Sequence, residues 1–419
     1  MALKPSLPVE ILDQIFYFLR DDIPALRASA DVDQRFSEII EKHLYYHITL
    51  GDSEITAPQL SELLVASPHI IPYIKSLRIN ISSRRNFSWF FNHSFREEEQ
   101  LAPIFPQLLH LTILSVHAAI ESRVIWTNLH VNFRASFLAC IRSSTLADLS
   151  IAWLASFPLP LLEESPQLQR LSLVGRFSTD ELSSIKGVVT TYPHLQDLKI
   201  EYSPELFEWL ERTEITQLRS FRIWLTRYST TDRIPEILSK SSNSLTHLQL
   251  HSPSRGPINS TFINSDQVQP AASPLDFSVF PHLQHLYFGV EFFSSTDFGV
   301  DGDGQQAFIV DAFSTPNPWI FQSLQTLFKL KTIPLQFIIL DITLSVAKID
   351  LHKISWGPLV DTIQGLNSLR RVELRLTEGE GYPVDRGMWA AERLKSDIHL
   401  SKLIDTGLLS ITGSTRKSA

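Results

Sequence analysis

The side chains with the most chemical potential sit in the second half of the chain. His247, His251, His282 and His285 follow one another closely, and imidazoles at such spacing are what a metal ion or a proton-transfer site needs. His282 and His285 are three residues apart, but no carboxylates accompany them in ligand spacing, so they read as surface residues. Asp301-Gly302-Asp303-Gly304 has half of the acidic spacing of a calcium loop; no third acidic ligand or distal Glu follows, which leaves a solvated turn. Cys140 is the single cysteine, so neither a disulfide nor a cysteine-based zinc site can form within the chain. Its apolar context, FLACIRSS, describes a buried small side chain and not a nucleophile. The sequence contains no Walker A motif, Gly-rich dinucleotide fingerprint, G-x-S-x-G elbow or H-E-x-x-H helix. No catalytic residue, metal or cofactor is expected; the chemistry left to this chain is recognition.

The bulk numbers bound what the chain recognises. With 419 residues, 43% hydrophobic and 20% charged, it can bury a large core, either as two or three domains or as a small domain joined to an elongated array. The net charge is −8 and no like-charge block exceeds Glu97-Glu98-Glu99, so nucleic acid is not an expected partner. The apolar residues of MALKPSLPVEILDQIFYFLRDD are interrupted by Pro8, Glu10, Asp13 and Gln14, which argues against a secretory segment. No apolar run approaches the roughly 18 residues that a membrane span needs. A soluble, intracellular protein of the cytoplasm or nucleus is the expectation, with no membrane partner.

The elements that would position a recognition surface begin at the N-terminus. Ile11, Leu12, Ile15, Phe16 and Leu19 recur at i, i+1, i+4, i+5 and i+8, the spacing of an apolar helix stripe. Pro8 and Glu10 suit its first turn. A second helix is expected around Pro24 to Ala30, and a third from the pattern Val32, Phe36, Ile39, Ile40 and Leu44. Three short helices between Leu7 and Leu50 form a unit too small to be comfortably stable alone, so the stripe should be buried against a partner or against the rest of the chain.

These residues carry a resemblance. LPVEILDQIFYFL, followed by DVDQRFSEII, resembles an F-box through Leu7, Pro8, Glu10, Ile11, Leu12, Ile15, Phe16, Leu19, Val32, Arg35 and Phe36. The match covers about 40 residues, and Ala28-Ser29-Ala30-Asp31 is more polar than the family pattern. The resemblance implies docking on a Skp-type adaptor and, through it, a cullin-RING ubiquitin ligase. It also implies that Leu7, Pro8, Glu10, Ile11, Leu12, Ile15, Leu19, Val32 and Phe36 form the adaptor-binding face.

The remainder repeats itself. A core of the form L-x-x-L-x-L recurs as LQRLSL from Leu168, LQDLKI from Leu195, LRSFRI from Leu218, LTHLQL from Leu245, LQHLYF from Leu283 and LRRVEL from Leu369. Weaker copies start at Ile74, Leu108, Leu146 and Leu330. This is similar to a degenerate leucine-rich repeat, of the kind found in fungal F-box proteins. The Asn usual three residues past the last Leu is replaced by Arg176, Ser203, Thr226 and Pro253. One repeat cannot bury its own apolar face, so the copies should stack. The expected fold is α/β: an N-terminal three-helix module over residues 1–50, then a curved solenoid with a parallel sheet of about ten short strands over 51–412. Leu171, Leu173, Leu198, Ile200, Leu248 and Leu250 should point inward. DELSSIKGVVTTY and PELFEWLERT read as helical connections. Polar insertions are expected at 251–277 and 294–306, and a flexible tail at 413–419.

Side chains alternating with the inward residues should form an open face. Arg170, Lys199, Arg222, Trp224, His247, Gln249, Tyr287, Arg371 and Arg375 are the candidates for holding a target protein, because Trp, Tyr and Arg dominate protein-recognition surfaces. The expected function is a non-catalytic substrate receptor of a ubiquitin ligase. A ligase-independent repeat scaffold, or a small-ligand sensor using the concave face, remains the alternative.

Overall fold

A computed structural model describes residues 7–20, 22–51, 55–81, 99–119, 124–165, 167–178, 190–201, 205–224, 233–251, 275–293, 323, 326–327, 334–345, 356–378 and 386–414. The chain forms two compact units, residues 1–195 and 196–419, both α/β and both built on parallel strands. The division therefore falls well beyond residue 50; the helix Gln34–Leu44 packs against the 3-10 turn Pro68–Tyr73 that precedes the second strand.

The first unit opens with α1 (Val9–Leu19), α2 (Ile23–Ala30) and α3 (Gln34–Leu44). Pro8 precedes α1, and its carbonyl accepts from the Ile11 and Leu12 amides at 3.1 and 3.2 Å. Asp22 caps α2, its carboxylate accepting from the Ala25 amide at 3.0 Å; such a cap is worth about 1 kcal/mol. The three helices agree with the sequence expectation, except that its last four residues form strand β1 (His47–Leu50). Next in the sheet come β2 (Ser76–Ile81), β3 (Ile113–Ala118), β4 (Asp148–Ala152) and β5 (Arg170–Val174), each parallel to the one before. Parallel neighbours need a crossover; α4 (Ala57–Ala66) and α5 (Val131–Ile141) lie in two of these connections. Phe105, Trp126, Phe133, Phe137 and Phe157 form an aromatic core with ring centroids 4.9–6.2 Å apart.

The second unit carries β6 (Asp197–Glu201), β7 (Ser220–Trp224), β8 (His247–His251), β9 (His285–Phe293), β10 (Phe337–Ser345), β11 (Arg371–Glu378) and β12 (Leu409–Ser414), again parallel and in chain order. Its helices with described bounds are α6 (Glu205–Arg212), α7 (Ile234–Ser239), α8 (Gly357–Gly365), α9 (Arg386–Lys395) and α10 (Ile398–Asp405). Helix α6 is the expected PELFEWLERT helix; residues 179–189, which hold most of DELSSIKGVVTTY, lie outside the described residues. The start of α9 lies so close to β12 that a Cβ at Gly413 would stand 2.2 Å from the Gly387 carbonyl oxygen.

Leu171, Leu173, Leu198, Ile200, Leu248 and Leu250 are all buried. Two copies need a new register. The strand near Leu108 places Leu114 and Val116 inward, so its core is LTILSV from Leu111; that near Leu330 places Ile338 and Leu340 inward, so its core is LQFIIL from Leu335. The strand ending the chain, with Leu409 and Ile411 buried, has no copy in the sequence pattern. The insertion expected to run to Phe277 ends sooner, because Leu275 and Phe277 are buried. Residues 252–274 and the insertion at 294–306 lie outside the described residues, and Gly413 and Ser414, expected in the tail, belong to β12.

The missing Asn is matched by another device. The residue just before the first Leu of a repeat is often Ser or Thr, and its hydroxyl donates to the carbonyl of the preceding repeat's first Leu. Thr145 does this to Leu111 at 2.9 Å, Ser244 to Leu218 at 2.8 Å and Ser368 to Leu335 at 3.0 Å. Thr112 and Thr246, one residue past the first Leu, likewise donate to the carbonyls of Lys75 and Arg219, each at 3.1 Å. Hydroxyls thus tie one strand entry to the next. Ser244→Ala is predicted to lower stability in urea by about 1–2 kcal/mol, since it leaves a partly buried carbonyl short of a partner. The neighbouring Ser242→Ala should stay within about 0.5 kcal/mol of wild type; equal midpoints for the two variants would remove the hydroxyl from the account.

Candidate functional site

Two surfaces collect the residues singled out in the sequence, one in each unit. On α1 the apolar stripe divides. Leu12, Phe16 and Leu19 turn toward α2 and α3, where Phe16, Leu26, Ile39 and Ile40 form a buried core and Leu12, Leu19, Ile23, Ala30, Phe36 and Leu44 pack on it. Phe16 and Phe36 meet edge to face at 5.7 Å, and Asp13 meets His43 Nε2 at 3.0 Å, tying α1 to α3. Ile11, Ile15 and Phe18 lie about a quarter turn away at 100° per residue and face outward: Ile11 and Ile15 are each 42% exposed, Phe18 83%. Leu7, Pro8, Glu10 and Val32 are also exposed. Of the nine residues expected on the docking face, Leu12, Leu19 and Phe36 are spent mainly on the module's own core. A helix this short needs that second stripe to hold it to its neighbours. Phe18 and Val9 are exposed and were not among the nine; Phe18 continues the Ile11, Ile15 spacing at i+7. Arg35 has no described side chain.

In the second unit the strand registers align three rows on the open face. Asp197, Ser220, His247, His285, Phe337 and Arg371 form the first, and Lys199, Arg222, Gln249, Tyr287, Ile339 and Glu373 the second. Glu201, Trp224, His251, Gly289, Asp341 and Arg375 form the third. Parallel strands lie about 4.8 Å apart, which is close to ring-stacking distance. The rings therefore stack along the rows: Trp224 on His251 at 3.6 Å and 5°, His247 on His285 at 4.1 Å and 6°, His285 on Phe337 at 4.8 Å and 9°. Rings stacked in this way cover each other's faces and turn their edges outward. Parallel imidazole planes also hold the His247 and His285 lone pairs parallel, unable to converge on one metal ion. Among the described residues no group of three or more His, Cys, Asp or Glu is placed to hold a metal.

Gly289 lets the third row close up. A Cβ there would stand 2.2 Å from His251 Nδ1, so the ring occupies space that any other residue would fill. Burial, then the Arg222 and Lys199 charges, pull the His251 pKa from 6.5 down to about 3. The ring is neutral, and the Gln249 amide donates to its Nε2 at 2.7 Å, which assigns the ring proton to Nδ1. Tyr287 donates to Asp341 at 2.6 Å and Thr377 to the same carboxylate at 3.1 Å. Burial and that bond to Asp341 hold the phenol well above its usual range. Burial also lowers the pKa of His247, which Asp197 partly offsets, and of His285, where His247 adds to the shift.

Lys199 meets Glu201 at 2.7 Å and stands 5.3 Å from the Trp224 ring centroid. Arg375 meets Glu373 at 3.0 Å, a bond that lowers the Glu373 pKa. Arg170 belongs to the first unit, where it pairs with Asp148 at 2.8 Å beside a row of Thr49, Arg78, Ser115, Ser150 and Ser172. Eight of the nine expected target-holding residues are thus gathered in the second unit. Asp341, Phe337 and Ile339 escaped sequence reasoning because the repeat from Leu335 was read five residues early. Burial pushes the Cys140 thiol up to about 12, the state of an inert side chain. No helix among the described residues is long and apolar enough to cross a membrane.

The sequence matches no protein-family model and no curated protein.

The folded pKa of His251 lies below the unfolded one, so the unfolded chain takes up this proton first as pH falls. The ring's contribution to stability is full above about pH 6.5 and declines as the pH drops toward 3. At pH 5 the loss is about 2 kcal/mol, from roughly 1.4 kcal/mol per pH unit. His251→Phe should keep the stack and remove that share of the difference between urea midpoints at pH 7 and pH 5; an unchanged pH dependence would show the ring to be solvated. Gly289→Ala should expel the ring, seen as a return of the His251 imidazole NMR titration toward 6.5.

Proposed function

We propose that this chain is a substrate receptor of a Skp–cullin–F-box ubiquitin ligase: α1–α3 are an F-box that docks on a Skp-type adaptor, and the strand array, read as a degenerate leucine-rich-repeat solenoid, holds a target protein on its open face. The observation that carries this reading is the split stripe of α1. One half closes the helical module, while Ile11, Ile15 and Phe18 remain as a row of uncovered apolar side chains. Large uncovered apolar side chains grouped on one helix are a mark of an interaction site, and a row at i, i+4, i+7 is the anchor spacing with which a helix enters a partner's groove. The F-box pattern of Leu7, Pro8, Glu10, Ile11 and Leu12 adds the identity of that partner.

In this reading the chain performs no chemistry. It holds the target near a ubiquitin-loaded enzyme, and the rate gain is one of effective concentration. The stacked, hydrogen-bonded face of the second unit supports the receptor half: its polar groups are already fixed by each other, so little side-chain freedom is lost when a partner binds.

Ile11→Asp combined with Ile15→Asp should abolish adaptor capture in a pull-down. Two charges in a desolvated helix–groove contact cost on the order of 3–5 kcal/mol, about a thousandfold in affinity. Both positions face solvent in the free chain, and Asp costs only about 0.7 kcal/mol of helix propensity per site, so the thermal melt should be nearly unchanged. Full adaptor capture by a well-folded double variant would exclude this face. Absence of capture by the wild-type chain would favour a repeat scaffold that works without a ligase.

A further inference from the structure

The cations on the open face of the second unit are not equally satisfied. Lys199 is paired with Glu201, Arg375 with Glu373, and Asp341 already accepts two hydroxyl bonds. Arg222 and Arg371 are exposed and have no carboxylate within ion-pair distance among the described residues; of the two, Arg222 lies on β7, the strand of Trp224 and next to that of His251. Its cross-strand neighbours are Lys199 on one side and Gln249 on the other. Two cations directly opposite each other on adjacent strands repel, and among the described residues Glu201 offsets only the Lys199 charge. The register puts Arg222 in the second row, between the strands that carry Lys199 and Gln249 and two strands from Tyr287.

The surroundings restrict what Arg222 can receive. Stacking takes up one face each of Trp224 and His247, and neighbouring rings lie on both sides of His251 and His285, which leaves little open ring face for a flat partner. The ring edges that remain carry the positive end of the aromatic quadrupole and favour electron-rich groups. A guanidinium offers a planar, two-pronged fit to a carboxylate.

Resting on the reading of this face as the target-holding surface, we infer that Arg222 receives a carboxylate side chain from an extended acidic segment of the recruited protein, with Gln249 and the outward edges of Trp224, His251 and Tyr287 as its immediate surroundings. The segment crosses β7, β8 and β9 at the second row. Lys199 is held by Glu201 and supplies field, while Arg222 supplies the bond.

The test uses the full chain and a displayed library of random twelve-residue peptides. Selected peptides should be enriched in Asp or Glu, and the enrichment should vanish when selection is repeated on Arg222→Gln. With the strongest peptide, labelled and followed by fluorescence anisotropy, Arg222→Gln should weaken binding at least tenfold. Replacing the peptide's acidic residue by its amide should do the same, and the two changes together should cost no more than either alone. Arg142→Gln, an exposed residue at the end of α5 away from the strand rows, should leave binding unchanged. Selected peptides without acidic enrichment, no selected peptide at all, additive losses in the double change, or displacement of the peptide by a single-stranded oligonucleotide would each overturn the proposal. If Arg222→Gln misfolds, the dependence of wild-type binding on the peptide carboxylate still decides it. Adaptor capture through α1 is read separately, so loss of the acidic preference with adaptor binding intact would reject this inference and leave the ligase reading standing.

Discussion

A parallel ladder holds its strands about 4.8 Å apart, and the character of this protein follows from that spacing on both faces of its sheets. On the inner face, each strand brings a pair of aliphatic residues, such as Leu198 and Ile200 or Leu248 and Leu250, onto the pair of its neighbour. No single strand could bury such a pair by itself, so each pair is covered only in company with its neighbours. On the outer face the same spacing sets flat side chains at stacking distance, and Trp224 on His251 or His247 on His285 is the result. The rows are thus a consequence of register as much as of residue type.

Entry into each strand is a second point of strain in such an array, because successive carbonyls at the turn need donors. The Ser and Thr hydroxyls of residues 145, 244 and 368 supply them across neighbouring repeats. This local bonding tolerates insertions of any length between strands, since it ties only the residues that enter the sheet. The long and unequal gaps between copies are compatible with a regular ladder for that reason.

The helical module solves a different problem. Three short helices offer too little surface to bury every apolar residue and still leave an interface. Separating Leu12, Phe16 and Leu19 from Ile11, Ile15 and Phe18 by about a quarter turn lets one helix serve the module's core and a partner at once. The bond between Asp13 and His43 and the Asp22 cap fix the helix orientation on which this division depends.

Periodicity determined the helices of the first 44 residues and the inward pairs such as Leu198 and Ile200, because periods of 3.6 and 2 are written directly in residue order, and the recurrence of the L-x-x-L-x-L core added the parallel α/β class. Register did not follow from it where apolar residues were too frequent. LLHLTILSV holds two overlapping L-x-x-L patterns, and only packing against β2 and β4 selects the one from Leu111. The same holds for the repeat from Leu335, and with it for Asp341 as the partner of Tyr287. Strands β1 and β12 carry no full repeat and exist because a neighbouring strand offers them a ladder. The division of the α1 stripe, the neutral His251 seated against Gly289 and the lack of an ion pair for Arg222 among the described residues were decided by tertiary structure alone. Each depends on which groups lie across a strand or helix boundary, and separation along the chain carries no record of that distance.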